Sequence, residues 1–282
     1  MPSTVHAEPV AASTPDAPRV YMCQVSATLS CGACCGLYNV AGLSRETLTD
    51  MLRERTAAFV QVPRTVAGID AFAERAVGFS PPDRPFPGFH HCPFVGLIDG
   101  ERRAGCLLHP LAAGNAGIDW RGLSYYGGLA CATYFCPSTR QLPAAHLLIV
   151  RQAFDSWYDY GLMVTERRLL AAVFERVERL LGRPLAEADA FPSSAIAALL
   201  REFSALQRHW PYRRPDAPGP SNYFFENGEY PRAPVNRRDA GIAPSGYDDI
   251  FRELESVFAS TAELCRAERV LDDIFGCMAP VK

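Results

Sequence analysis

The sequence predicts an α+β protein that is mostly helical, in which a small cysteine-rich segment with a β-hairpin packs against a helical half. Three observations predict this class. Eight of the ten cysteines lie in the first half of the chain. A turn dipeptide separates two short apolar runs near residue 100, and apolar positions recur at helical spacing over most of residues 141–282. With 282 residues, the chain is long enough to bury a substantial core without help from a metal.

Composition divides the chain into three parts. Residues 1–18 are rich in Ala, Pro, Ser and Thr, and we expect a disordered tail there. Residues 19–140 hold the clustered cysteines and are predicted to be a metal-binding region. Residues 141–282 are predicted to be a helical region, with a long irregular loop at 210–246 that is dense in Pro, Gly, Asn and Arg. We expect the aromatic run Tyr223–Phe225 in that loop to pack against the cysteine-bearing part, where an enzyme would use it as a lid, because exposed aromatic patches are sticky.

Apolar spacing and capping residues predict the helices. Gly182 and Pro184 are typical of a helix end, and Asp248 and Asp249 favour a helix start because the helix dipole stabilises acids there. The predicted helices are Ser44 to about Phe59, Pro143 to Tyr158, about Thr165 to Leu181, Ser193 or Ser194 to Leu206, and about Tyr247 to Phe275.

A β-hairpin is predicted between Cys92 and Cys106. Two apolar runs, Phe94–Ile98 and Ala104–Leu108, flank the Asp-Gly dipeptide at 99–100, which is a strong signal for a two-residue turn. Folding the hairpin brings the two thiols side by side.

The densest group of thiols is the stretch Cys-Gly-Ala-Cys-Cys-Gly at residues 31–36. In one helical turn at roughly 100° per residue, Cys34 and Cys35 lie on either side of Cys31, so all three sulfurs can face one polynuclear centre. Adjacent cysteines point apart, so they suit two metals, or two corners of one cluster, better than a single zinc ion. We expect the two glycines to let backbone N–H groups approach sulfur closely.

The other cysteines of the first half complete the predicted site. Cys131 and Cys136 are close in sequence and can reach the same centre. Cys92 and Cys136 each precede a proline, as in iron–sulfur loops. We therefore expect an iron–sulfur cluster in preference to zinc. The predicted metal ligands are Cys23, Cys31, Cys34, Cys35, Cys92, Cys106, Cys131 and Cys136.

These segments resemble the CxxCxxCC cysteine-cluster family of zinc- or iron-chelating domain proteins. The resemblance covers about residues 21–140 and rests on the order of the stretch at 31–36, Cys92-Pro-Phe-Val, Gly105-Cys106-Leu-Leu-His109-Pro110 and the closing Cys131 and Cys136 segment. It implies one shared metal site built from the clustered cysteines, with iron–sulfur or zinc left open. Family members commonly carry a further cysteine where this chain has Thr28, so the role of Cys23 stays open.

The resemblance also implies an alternative function. One relative is a flagellin lysine methylase, so a protein-modifying enzyme stands beside the metal-binding module with no turnover. The sequence contains no phosphate loop, zinc-protease helix or nucleophile elbow. Whether a reaction is catalysed is therefore open, and the partner or substrate is expected to be an unidentified protein.

Charge and compartment restrict the remaining classes. A net charge of −3 with interleaved signs argues against nucleic-acid binding. The amino terminus lacks a basic start and an apolar core, so we expect a cytoplasmic protein with reduced thiols in preference to five disulfides. His146 and Arg151 interrupt the most apolar run well short of membrane-spanning length.

The two remaining cysteines and three histidines are weaker candidates for ligands. Cys265 is expected to be a buried apolar residue in the middle of the last helix, and Cys277 a similar one that can reach the site if that helix packs there. His109 follows Cys106 by three residues and is either a ligand or a local hydrogen-bonding group. His90 and His91 have a weaker case as ligands.

Overall fold

The computed structural model describes residues 20–40, 42–76, 84–217, 232–239 and 241–278. The tail predicted at residues 1–18 and the aromatic run Tyr223–Phe225 lie outside these residues. About half of the chain is helical, and the mostly helical α+β class is confirmed. None of the helices in the described part is long and apolar enough to cross a bilayer.

The described elements follow one another in this order: α1 (Arg45–Val60), α2 (Val66–Ala76), β1 (Val95–Ile98), β2 (Arg103–Cys106), α3 (Gly127–Thr133), α4 (Pro137–Gln141), α5 (Ala144–Ala153), α6 (Trp157–Val164), α7 (Arg167–Leu181), α8 (Ala195–His209), β3 (Asn236–Arg237), α9 (Asp248–Glu253), β4 (Val257–Phe258) and α10 (Thr261–Gly276).

Local capping explains the helices that the sequence predicted correctly. The hydroxyl of Ser44 accepts the N–H of Thr47 at 3.0 Å and begins α1. The hydroxyl of Ser194 accepts the N–H of Ala197 at 3.0 Å and begins α8. Gly182, with φ of 67°, ends α7 in the left-handed conformation that glycine adopts easily.

Two long predicted helices are wrong because the chain breaks inside them. The stretch Pro143 to Tyr158 forms α5 and α6, since Phe154 is extended and Ser156 begins a new helix by accepting the N–H of Tyr158. The stretch Tyr247 to Phe275 forms α9, β4 and α10. There Glu255 takes a positive φ of 57°, which cannot continue a helix, and Ser260 caps the next one.

The predicted hairpin is present, with a longer turn than expected. Strands β1 and β2 pair antiparallel, and Val95 lies opposite Cys106. The connection is residues 99–102, because Glu101 joins Asp99 and Gly100 in the positive φ region. A second, two-residue pair joins β3 to β4 in parallel.

The cysteine-bearing part and the helices share their buried cores. The largest core cluster lies among α5–α8 and α10, and it includes Met22 from the amino-terminal segment. A second cluster packs Tyr38, α1 and the hairpin against Trp157 of α6. A third lies between α1, α2 and the start of the hairpin, around Phe59 and Phe94. The cysteine segments are therefore held between cores on both sides.

Tyrosine hydroxyls join the amino-terminal segment to α6. Tyr160 donates to the carbonyl of Met22 at 2.7 Å, and Tyr38 donates to the carbonyl of Trp157 at 3.2 Å. A β-carbon on Gly161 would lie only 1.7 Å from the Tyr38 hydroxyl oxygen. Glycine at 161 is therefore what allows the Tyr38 ring to reach α6.

We expect Gly161→Ala to lower the free energy of unfolding by about 2 kcal/mol or more, because overpacking a filled core is strongly destabilising. Gly276→Ala is the matched control, since a β-carbon there would meet no atom within 4 Å, and it should change stability by less than about 1 kcal/mol. Urea unfolding measures both. Equal effects of the two substitutions would contradict the contact.

Candidate metal centre

Three chain segments carry the eight cysteines of the predicted site: residues 23–35, residues 92–106 and residues 131–136. Every one of these eight thiols lies within electrostatic range of at least one other. All ten cysteines of the chain are free thiols. The structure thus brings together the whole set that the sequence singled out.

The first segment folds into a narrow loop with cysteines at its base. The N–H of Cys31 donates to the carbonyl of Cys23 at 2.8 Å, and Gln24 and Ser30 form an antiparallel bridge above it. A short 3₁₀ turn, Ala33–Cys35, follows. The helical turn expected at residues 31–36 is therefore present in its tighter form.

The two glycines of this turn allow close packing. A β-carbon on Gly36, whose φ is 76°, would lie 2.2 Å from the carbonyl oxygen of His90, and one on Gly32 would lie 2.7 Å from Leu37 Cδ2. The N–H donor to the Cys31 sulfur is that of Ala33, at 3.5 Å. Gly36 thus allows the segment before Cys92 to contact the turn, and the N–H that approaches the Cys31 sulfur belongs to Ala33, directly after Gly32.

The second segment is joined directly to the first. The N–H of Cys92 donates to the carbonyl of Cys35 at 2.8 Å, and the Cys35 thiol is hydrogen-bonded to the thiols of both Cys34 and Cys92. The amide of Gln24 donates to the carbonyl of Ala104 in β2 at 3.3 Å. The hairpin places Cys106 next to Cys92 as predicted, within electrostatic range.

The third segment lies close to the other two. Cys131 lies in α3, is exposed, and has its sulfur 3.2 Å from the Ser124 hydroxyl. Cys136 precedes the first residue of α4, and its sulfur lies 3.4 Å from the Thr139 hydroxyl. Cys131 lies within electrostatic range of Cys92, and Cys136 within range of Cys23 and Cys31.

Backbone N–H groups support several sulfurs in one recurring pattern. The thiols of Cys31, Cys92 and Cys106 each accept a hydrogen bond from the residue two positions later, which is Ala33, Phe94 or Leu108. Hydrogen bonds of this kind stabilise a thiolate more than a thiol. They also tune the sulfurs of iron–sulfur centres.

Burial and mutual contact divide the thiols into two protonation classes. Hydrogen bonds from Cys35, His90 and the Phe94 N–H lower the pKa of Cys92 to about 5. Contact with Cys34 and Cys92 raises the pKa of Cys35 well above its usual value, and burial raises the pKa of Cys23 and of Cys106 to about 12. Full deprotonation of this group therefore needs a compensating cation, which a bound metal supplies.

One cation of the protein already lies under the thiols. Arg55 is fully buried in α1, donates to the carbonyl of Cys92 at 3.4 Å, and lies 2.8 Å from the His91 ring. Burial lowers the pKa of Arg55 to about 10, which leaves it charged at neutral pH. Arg55 was not predicted from the sequence. Its position among Leu48, Leu52 and Phe59 on the buried face of α1 is the pattern that could have indicated a buried arginine.

The histidines have supporting positions. Nδ1 of His91 lies 2.9 Å from the carbonyl of Gly36, so Nδ1 carries the proton and Nε2 accepts from Arg55. His90 lies beside the Cys92 thiol, whose pKa it lowers, and its ring stacks on that of Tyr125 at 4.1 Å between centroids. His109 accepts the N–H of Leu111 at 3.2 Å, the local role that the sequence left open.

The late cysteines lie apart from the thiol group. Cys265 is exposed, which corrects the expectation that it is buried in the core. The buried face of α10 consists of Leu264, Ala267, Leu271 and Phe275, and Cys265 lies on the other face. Cys277 is also exposed, and its thiol donates to the carbonyl of Ile274 at 3.0 Å.

The solvent side of the thiol group is lined by tyrosines. Tyr21, Tyr126 and Tyr134 are exposed, and each lies within electrostatic range of Cys34, which is itself exposed. Cys92, in contrast, is buried. The centre therefore opens to solvent at Cys34 and is closed behind Cys92.

The donor set fits a thiophilic metal, although the side chains are paired with one another. In the described residues no three or more His, Cys, Asp or Glu side chains are arranged to hold a metal ion. Three of the thiols, those of Cys34, Cys35 and Cys92, are hydrogen-bonded to one another instead. Eight sulfurs without a carboxylate partner are the ligands of zinc or of iron–sulfur centres, not of calcium or magnesium.

Comparisons with protein-family models, with curated proteins and with solved structures give no match for this chain. The resemblance to the CxxCxxCC family therefore stays a prediction from the sequence.

Protonation of His91 should make the metal-free chain less stable in acid. Burial and Arg55 lower the pKa of His91 to about 3, whereas the unfolded value is about 6.5. The unfolded state thus binds the proton first, and stability that is complete above pH 6.5 is lost as the pH falls towards 3, at about 1.4 kcal/mol per pH unit.

His91→Gln removes the titrating group while keeping a donor and an acceptor. We expect the free energy of unfolding of the variant, measured by urea titration, to fall less steeply than that of the wild type between pH 6 and pH 4. Parallel curves for the two proteins would contradict this position of His91.

Proposed function

We propose that this chain is a metal-binding protein that holds an iron–sulfur cluster or zinc through its eight clustered cysteines, with the iron–sulfur form favoured. The observation that carries the proposal is the way in which thiols from three chain segments meet. Main-chain hydrogen bonds run directly from one cysteine residue to another, Cys31 to Cys23 and Cys92 to Cys35. Such bonds fix the relative positions of the ligand backbones before any metal arrives.

Simple burial of apolar cysteines does not account for this group. Cys34 and Cys131 are exposed, so burial of apolar surface is not what places them, yet both lie within electrostatic range of other thiols. Three sulfurs of the group accept backbone N–H groups. A buried arginine beneath Cys92 adds positive charge where thiolates would concentrate negative charge. These features support ligation more than packing.

The adjacent pair Cys34 and Cys35 supports the iron–sulfur form. Two neighbouring thiolates rarely serve one tetrahedral ion, whereas a polynuclear centre has several corners to receive them. The hydrogen bonds from Ala33, Phe94 and Leu108 to sulfur are also typical of iron–sulfur ligands. When bound, such a centre supplies one-electron chemistry, and the open side at Cys34 would expose it to a reaction partner. The protein-modifying activity implied by the family resemblance stays a prediction from the sequence.

Protein purified without oxygen should be brown and contain iron and acid-labile sulfide, measured by elemental and sulfide analysis. Stoichiometric zinc without sulfide would support the zinc form. The variant Cys92→Ser should bind the metal about tenfold or more weakly in competition with a chelator, because it removes a buried ligand at the join of two segments.

Cys265→Ser is the matched control, because Cys265 is exposed on α10 and lies outside the thiol group. It should keep the metal content of the wild type. Equal metal content in the Cys92→Ser and Cys265→Ser variants, or no bound metal in the wild type, would overturn the proposal.

A further inference from the structure

We propose that the eight cysteines form two separate four-thiol metal sites. The first site consists of Cys23, Cys31, Cys34 and Cys136, and the second of Cys35, Cys92, Cys106 and Cys131. This inference rests on the proposed function, because it assigns the ligands of the same centre to two metals or two clusters. Four thiolates complete the coordination of a zinc ion or of an iron–sulfur cluster, so the division leaves no ligand over.

Packing against different cores separates the two sets. Met22, next to Cys23, belongs to the largest core cluster, and Cys31 packs against it. Cys92 belongs to the third cluster, and Cys35 and Cys106 pack against that one. Both Cys31 and Cys35 also contact the second cluster, which lies between. The two sets are therefore attached to opposite sides of the thiol group.

Each main-chain hydrogen bond between two cysteine residues joins members of the same set. Cys31 is bonded to Cys23 within the first set, and Cys92 to Cys35 within the second. Cys106 lies across the hairpin from Val95, three residues after Cys92. Each set thus contains its own backbone link between two ligands.

Two residues beside the thiols, Tyr160 and Arg121, each lie close to one set. The hydroxyl of Tyr160 is fixed on the carbonyl of Met22 at 2.7 Å, and its ring lies within electrostatic range of Cys23, Cys31 and Cys136. On the other side, the Arg121 guanidinium lies within electrostatic range of Cys106 and Cys131. The first set therefore surrounds Tyr160, and Arg121 approaches the second.

The adjacent cysteines are the point where the sets meet. Cys34 lies within electrostatic range of Cys23 and Cys31 in its own set and also of Cys92 and Cys131 in the other, whereas the Cys35 thiol is hydrogen-bonded to Cys92. Cys34 is also hydrogen-bonded to Cys35, which places the two sites in contact. Consecutive residues of one 3₁₀ turn point in different directions, so one peptide unit can supply a ligand to each site.

Anaerobic titration of the full metal-free chain with Co²⁺ tests the division. Cobalt bound by thiolates gives sulfur-to-cobalt charge-transfer absorption and the visible bands of a tetrahedral site, and these count the bound ions. The wild type and the control Cys265→Ser should saturate at two equivalents. Cys136→Ser, in the first set, and Cys131→Ser, in the second, should each keep one tight equivalent, and the double variant should keep none. Cys34 and Cys35 are adjacent but belong to different sets. Cys34→Ser combined with Cys136→Ser disrupts only the first set and should still keep one equivalent, whereas Cys34→Ser combined with Cys131→Ser disrupts both sets and should keep none. Cys35→Ser should give the reverse result with each of these two variants.

Saturation of the wild type at one equivalent, or loss of both equivalents in a single variant whose circular dichroism matches the wild type, would overturn the two-site division and leave metal binding intact. A wild type that binds no Co²⁺ would overturn the proposed function as well. For any variant that fails to fold, the stoichiometry of the wild type and of Cys265→Ser still decides between one site and two.

Discussion

The contact between Gly36 and the His90–Cys92 segment is the constraint on which the thiol group depends. A side chain at position 36 would overlap the backbone of His90, so only glycine lets the two segments approach. That approach permits the bond from the Cys92 N–H to the Cys35 carbonyl and the bond between the His91 ring and the Gly36 carbonyl. Cysteines separated by more than fifty residues in the chain are thereby placed next to each other, as positions 35 and 92 show.

The same contact explains why charged and polar groups are buried beside the thiols. His91 reaches Gly36 with one ring nitrogen and Arg55 with the other, and Arg55 reaches the carbonyl of Cys92. A buried arginine is unfavourable without nearby negative charge. Thiolates would provide such charge, and the metal proposed to bind them would set how much of that negative charge remains. The fold of the cysteine-bearing part and the charge state of its thiols are therefore coupled.

Sequence reasoning found those features that are encoded locally. Serine caps at 44 and 194 and the glycine at 182 marked helix ends, and the Asp-Gly dipeptide marked the hairpin. It failed where one residue overrides the apolar period, as at Phe154 and Glu255. It also misjudged Cys265, because nearby apolar residues such as Leu264 and Val270 do not by themselves show which face of α10 is buried.

The cysteines of the candidate site could be predicted from the sequence, whereas the residues that contact and position them could not. The grouping of thiols followed from spacing and from the hairpin. Arg55 and His91 were harder to predict, since a charged residue on an apolar helical stripe is ordinarily read as an interruption of that stripe. Their roles depend on the carbonyls of Cys92 and Gly36, which lie far away in sequence. Long-range polar partners of this kind are set by the tertiary fold and leave no local pattern.

We propose that thiolate sulfur alone holds a metal in this protein, and X-ray absorption at the metal edge of anaerobically purified protein tests this proposal most directly. The account predicts a first shell made only of sulfur, at about 2.3 Å for zinc or a similar distance for iron. A shell dominated by nitrogen or oxygen scatterers would contradict it, because neither of the two proposed sets of four cysteines includes a histidine or carboxylate ligand.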